Sequence, residues 1–310
     1  YYFLLIPVFI TSFSSHDSMR LIHAFVLGCI LHATLMLLHS YGLTLLPDKL
    51  DLYSPYSTYA TFFVFSSFYC FYFFLYHSNI KKISYLFFTL LLIYTLFSNP
   101  SRSGQLAFII SLIVTVILLH RNFKRTIIIT SVFTILISTI IMSSEKVRSS
   151  YNHAINDIEK IKKENYAGSW GLRWGLSITA LNTIQNNLIF GVGLGDTHDE
   201  RVKVIAKIIK GDTKKISNLV GIHNNYLSIL EAAGIISLIF YILMYVHIYK
   251  LPIKNSEMKK LSLIFLTILA VASIADDIFF YKPYNIHFVI MLSLFINLSL
   301  NNKYRLLINK

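Results

Sequence analysis

Three polar residues in a strongly apolar chain have the chemistry of a group-transfer site. Arg102 stands in Asn99-Pro100-Ser101-Arg102-Ser103-Gly104, Arg173 in Gly171-Leu172-Arg173-Trp174, and His223 in Gly221-Ile222-His223-Asn224-Asn225. A guanidinium grips phosphate oxygens through paired donors and keeps its charge. A neutral imidazole accepts a proton near neutral pH. Two fixed cations beside such a base suit chemistry on a lipid-linked diphosphate, provided that all three face one side of a membrane. Each residue also has an ordinary reading. Arg102 could be an interfacial cation that snorkels toward phospholipid phosphates, Arg173 a solvated arginine of a basic loop, and His223 a structural hydrogen-bonder.

Neighbouring groups extend the set. Ser103 and Gly104, near a helix start, add backbone donors and a favourable dipole beside Arg102. Asn224 follows His223 where the chain re-enters the membrane. Asp276-Asp277, with Lys282 nearby, reads first as an interfacial cap or an Asp–Lys pair, and alternatively as a carboxylate that orients a sugar hydroxyl or an imidazolium. Glu231 is about 12 Å along a helix from His223, too far for pairing, and its setting before Ala232-Ala233-Gly234 suggests a polar contact in a close-packed interface. Gly191-Val192-Gly193-Leu194-Gly195 lacks the strand-turn-helix context of a nucleotide motif and reads as a turn ending a helix. No histidine has metal-ligand spacing, so no metal site is expected.

The elements that must position these residues are membrane helices. With 310 residues, 55% of them hydrophobic, and a mean hydropathy of +0.59, the chain is a polytopic membrane protein rather than a water-soluble domain. Apolar runs at about 1–13, 21–41, 57–77, 83–98, 104–120, 126–142, 225–249, 261–275 and 285–300 give an all-α bundle of about nine membrane helices. The sequence begins at Tyr1 inside an apolar run, and an N-terminal part is expected to be missing. Residues 1–310 read as a single integral membrane domain. Cys29 and Cys70, both within apolar runs, read as small core residues.

The net charge of +13 would suggest nucleic acid in a soluble protein, but here its distribution gives topology. One set of connections carries Arg20; Lys81 and Lys82; Arg121, Lys124 and Arg125; Lys250, Lys254, Lys259 and Lys260; and Lys303, Arg305 and Lys310. The opposite short loops carry only Lys49, Arg102 and Lys282. The positive-inside rule makes the first set cytoplasmic and places 143–224 outside as one large loop. Arg102, Arg173, His223 and Asp276-Asp277 then face the same compartment. No cation needs to sit at mid-membrane, which argues against a transporter.

The long loop carries its own helical patterns. Ile155, Ile158 and Ile161 recur within Tyr151 to Glu164, and Trp174, Ile178, Leu181 and Ile184 define an apolar stripe from Arg173 to Asn186. From Arg201 to Lys210, cations alternate with Val202, Ile205, Ile208 and Ile209 as a basic amphipathic stretch able to lie on anionic headgroups. The loop is expected to be mostly helical and to pack back on the membrane as a lid.

The chain resembles the bacterial O-antigen ligase family, within the wider O-antigen polymerase and ligase superfamily. The resemblance rests on Ser101-Arg102-Ser103-Gly104, Tyr151-Asn152-His153-Ala154-Ile155-Asn156-Asp157, Leu172-Arg173-Trp174, His223-Asn224-Asn225-Tyr226-Leu227 and Glu231-Ala232-Ala233-Gly234, in that order. The Tyr151–Asp157 stretch and Ala275-Asp276-Asp277-Ile278 look more like ligases than polymerases. The resemblance implies transfer of a glycan from undecaprenyl diphosphate to a sugar hydroxyl of the lipid A-core, at the periplasmic face of the bacterial inner membrane. Arg102 and Arg173 would bind the diphosphate, and His223 would take the acceptor proton in a direct, inverting attack without metal or other cofactor. The partners implied are the lipid-linked donor, the lipid A-core acceptor and membrane lipids, with no nucleic acid. An O-antigen polymerase, a protein O-oligosaccharyltransferase and a lipid-linked glycan transporter are the competing expectations.

Overall fold

A computed structural model describes residues 5–43, 56–76, 81–98, 101–119, 128, 131–135, 137–139, 145–166, 168–208 and 221–308. About half of the expected span at 126–142 lies outside them, as does the Arg102 side chain. Among the described residues the chain is helical, with no strand. The main helices are α1 (Leu5–Ser12), α2 (Ser15–Ser40), α3 (Tyr56–Tyr76), α4 (Lys81–Ser98), α5 (Arg102–Leu119), α6 (Glu145–Lys162), α7 (Ser169–Asn186), α8 (Thr197–Ile208), α9 (Asn225–Tyr249), α10 (Ser256–Ala275) and α11 (Lys282–Ile308). Among the described residues, five stretches have the length and apolar composition to cross a membrane: Asp17–Ser40, Lys81–Ser98, Asn225–Tyr249, Ser256–Ala275 and Lys282–Leu300. The apolar stretches of α3 and α5 are shorter. The molecule is a multi-pass helical membrane protein.

The chain forms two compact units. The first comprises residues 1–144, 247–272 and 279–310, and the second 145–246 and 273–278. In the first unit, α3 is apolar on all sides and packs against α2, α4 and α5, as expected of a helix buried all round. Its rings, including Phe63, Phe65, Phe68 and Tyr69, are almost fully buried. Gly104 of α5 permits the close approach to α3, because a Cβ there would sit 2.5 Å from that of Ala60. The turn into α2 is fixed by a capping box in which Ser14 and Asp17 exchange backbone-to-side-chain bonds at 3.1 Å. Asn297 of α11 donates to the Ile10 and Phe13 carbonyls, tying that turn down. Both cysteines are buried and free.

In the second unit, α7 packs against α6 and α8. Its buried face is Gly171, Gly175, Leu176, Thr179, Ala180, Thr183 and Ile184, whereas Trp174 and Leu181 are exposed. The expected helix is present, but of the stripe Trp174, Ile178, Leu181 and Ile184 only Ile184 joins the buried face, where small side chains let neighbouring backbones approach. Likewise Ile155 and Ile158 of α6 are exposed. The core is Leu176, Ala180, Ile205 and Ile222, with Tyr166, Leu172 and Leu227 against it.

The largest departure from the sequence reading is in α9, expected as one straight span. Gly234 adopts φ +73° and ψ −175°, breaking the helix. Asn225 Nδ2 donates to Tyr241 Oη at 3.0 Å, although a straight helix would hold the two backbones about 24 Å apart. The chain therefore turns at Gly234 and brings Asn225 back to Tyr241. The glycine run after α7 clamps this corner. Val192 and Gly193 donate their N–H groups to the Glu231 and Ala232 carbonyls at 2.9 Å, and Ile235 N–H donates to the Leu188 carbonyl at 2.8 Å. These bonds satisfy backbone groups that a helix break would otherwise orphan.

Candidate functional site

The second unit gathers His223, Asn224, Asp276, Asp277 and Arg173. His223 follows Ile222, whose side chain is buried in the core and fixes the segment. The backbone at His223 is left-handed, with φ +59°, an uncommon conformation in which histidine is one of the better-tolerated residues. It lets one residue address two carboxylates. The His223 N–H donates to Asp277 Oδ2 at 2.7 Å, while Nδ1 of the ring lies 3.1 Å from Asp276 Oδ1. An ionised carboxylate can only accept, so the contact assigns a hydrogen to Nδ1, and in the neutral ring the lone pair is then on Nε2. The imidazole is half-buried and both aspartates are buried.

The aspartates are themselves held. Asp276 Oδ1 accepts the Asp277 N–H at 3.0 Å, and Asp277 Oδ1 accepts the Ser228 hydroxyl at 2.5 Å. Gly221 leaves room for this carboxylate, since a Cβ there would lie 2.8 Å from Asp277 Oδ2. Asn224 caps the returning helix by accepting the Leu227 N–H at 3.1 Å. Behind it, the Tyr241 hydroxyl meets both Asn225 and Ser273 at 3.0 Å, joining α9 to the end of α10 just before Asp276. Asp276 and Asp277 thus lie against the ring and the backbone N–H of His223.

Arg173, in the first turns of α7, donates from Nη1 to the Ala275 carbonyl at 3.0 Å. The segment Ala275–Asp277 thus anchors both the arginine and the histidine. A guanidinium has five N–H donors, so this bond leaves capacity to grip an anion. Arg102 and Ser103 belong to the first unit, where Arg102 is the first residue of α5 and Ser103 is buried in its first turn.

Two supporting residues escaped the sequence reading. Gly168 offers no side-chain cap to α7, and the buried Asp157 of α6 supplies one by accepting the Trp170 N–H at 3.1 Å. A helix beginning at a glycine is the signal that a cap must come from elsewhere. Arg201, read as part of a headgroup-facing basic stretch, is instead buried and pairs with Glu231 at 3.4 Å. A buried carboxylate needs a counter-charge, and the second turn of α8 brings the arginine to it. Glu231 accordingly makes the close-packed polar contact expected of it. The Gly191–Gly195 run is a turn ending α7, as expected, and its amides serve the helix break.

Fold and site define a multi-pass membrane protein whose second unit holds a histidine on one carboxylate and an arginine on the residue before it. A family model described as O-antigen ligase matches residues 87–242, just over half of the chain. The chain belongs to the O-antigen ligase family, whose members are membrane glycosyltransferase-like enzymes. The matched span contains Arg102, Arg173 and His223 and ends before Asp276. A comparison with curated proteins finds no match.

Proposed function

We propose that this chain is an O-antigen ligase of the bacterial inner membrane, transferring a glycan from undecaprenyl diphosphate to a sugar hydroxyl of the lipid A-core. The observation that carries this reading is the His223–Asp276 pair, with Arg173 seated on the adjoining Ala275. The acceptor hydroxyl gives its proton to His223 Nε2 as its oxygen bonds to the anomeric carbon of the donor. The bond between that carbon and the diphosphate oxygen breaks from the opposite face, and undecaprenyl diphosphate leaves with the electron pair. Attack opposite the leaving group inverts the anomeric centre. Arg173 and Arg102 take the charge that develops on the diphosphate, and Asp276 stabilises the imidazolium. The scheme uses no metal ion. The distribution of cations between the connections supports about nine membrane helices with 143–224 in the periplasm.

Reconstitution into vesicles with lipid-linked glycan and core lipid tests the reading. Glycan joined to core is the expected product. Lengthening of the lipid-linked glycan without core attachment would make the chain a polymerase, and movement across the bilayer without a new glycosidic bond a transporter.

A further inference from the structure

The clamp on the α9 corner has a second property. Its tip presents Leu188, Ile189, Phe190 and Leu194, exposed by 50%, 57%, 77% and 77%. Such a cluster in water would be an aggregation liability. Its height is fixed by the bond from Ile235 N–H to the Leu188 carbonyl. From Ile235, the unbroken part of α9 runs only to Tyr249, where Lys250 follows. Fifteen residues rise about 21 Å, less than the roughly 30 Å of a hydrocarbon core. With the Lys250 end at one interface, Gly234 and the loop bonded beside it fall short of the other.

We infer that Leu188–Leu194 is a lipid-inserted loop, its apolar tip bathed by phospholipid acyl chains alongside the exposed Ile236, Ile239 and Phe240 of α9. Two further features fit a hydrocarbon setting. Gly191, Val192, Gly193 and Ile235 have their N–H groups bonded to carbonyls, which lowers the cost of holding this part of the irregular backbone at membrane depth. The exposed patch also continues the apolar outer face of α9. The loop ends α7, which carries Arg173 near its start, so insertion would hold that helix at a set height above the acyl chains. This surface does not depend on which glycan is transferred.

Site-directed spin labelling of the full chain in phospholipid nanodiscs tests it. Labels placed by Phe190→Cys or Leu194→Cys, in a Cys29→Ser, Cys70→Ser background, should collide more with oxygen than with a water-soluble nickel chelate. They should match a label at Ile239 and contrast with one at Glu159, exposed on α6. Nickel-dominated collisions at 190 and 194 would place the loop in water, and low collision with both reagents would mean that protein covers it; either overturns the proposal. Should the cysteine-free chain fail to fold, a photoactivatable phenylalanine at 190 in the otherwise unaltered chain reads the same contact. Phospholipid adducts support insertion, and water-quenched or peptide products alone overturn it.

Discussion

Asp276 Oδ1 lies 3.1 Å from His223 Nδ1 and simultaneously accepts the Asp277 amide at 3.0 Å, so the carboxylate that meets the imidazole is itself locked to the backbone. If His223 is the base, its removal and that of its carboxylate should act on the same step. His223→Ala should abolish transfer, and Asp276→Asn should lower kcat by about 10²- to 10⁴-fold with the KM for donor unchanged. Steady-state kinetics in vesicles would check this. Near-normal kcat in Asp276→Asn would assign the carboxylate a merely structural role, because the amide keeps its shape without its charge.

Arg173 should instead affect donor use. Losing a charge-assisted bond of about 1.5–3 kcal/mol corresponds to roughly 10- to 100-fold in apparent donor affinity. Arg173→Lys should recover little, since a point charge cannot both hold the Ala275 carbonyl and grip a phosphate bidentately. Turnover at limiting donor is the informative measurement, and normal rates there would remove Arg173 from the diphosphate site.

The break in α9 predicts an asymmetry between glycines. A Cβ at Gly234 would sit 2.0 Å from the Ile189 carbonyl oxygen, at a positive φ. Gly234→Ala should therefore cost about 3 kcal/mol or more and deplete folded protein. Gly28, with nothing within 4 Å of its Cβ position in α2, should accept alanine at no cost or with a gain of up to about 1 kcal/mol. Thermal unfolding in detergent separates the two.

Glu231 and Arg201 form a buried ion pair at 3.4 Å. Replacing either partner alone with a neutral residue should destabilise by about 3–5 kcal/mol, because the other charge stays buried. The double change Glu231→Leu with Arg201→Met should recover much of the loss. Equal destabilisation by the single and double changes would show that the charges are not coupled.

The helices of the second unit were legible from periodicity, and Arg173 and His223 stood out as candidates by residue type and position. Less visible were the relations that need a third dimension. Hydropathy runs without interruption through Gly234, so α9 reads as one span, and only the clamp by residues 188–193 reveals why it can break. Arg201 looks like a surface cation until its partner is known. Trp174 is apolar yet exposed, because Gly175 and Thr179 occupy the close contact in its place. Asp276 was open to two readings because the histidine that it meets is more than fifty positions earlier in the chain.

The order of segments in the chain also bears on its assembly. Three backbone groups at the α9 corner, the Glu231 and Ala232 carbonyls and the Ile235 amide, depend on the loop at 188–193. That loop leaves the ribosome before Gly234 does, so the clamp is synthesised before the break that it must satisfy. Vectorial synthesis thereby spares the bilayer an interval in which an unclamped corner seeks partners. A chain with the two segments in reverse order would reach the same bonds only after passing through that state.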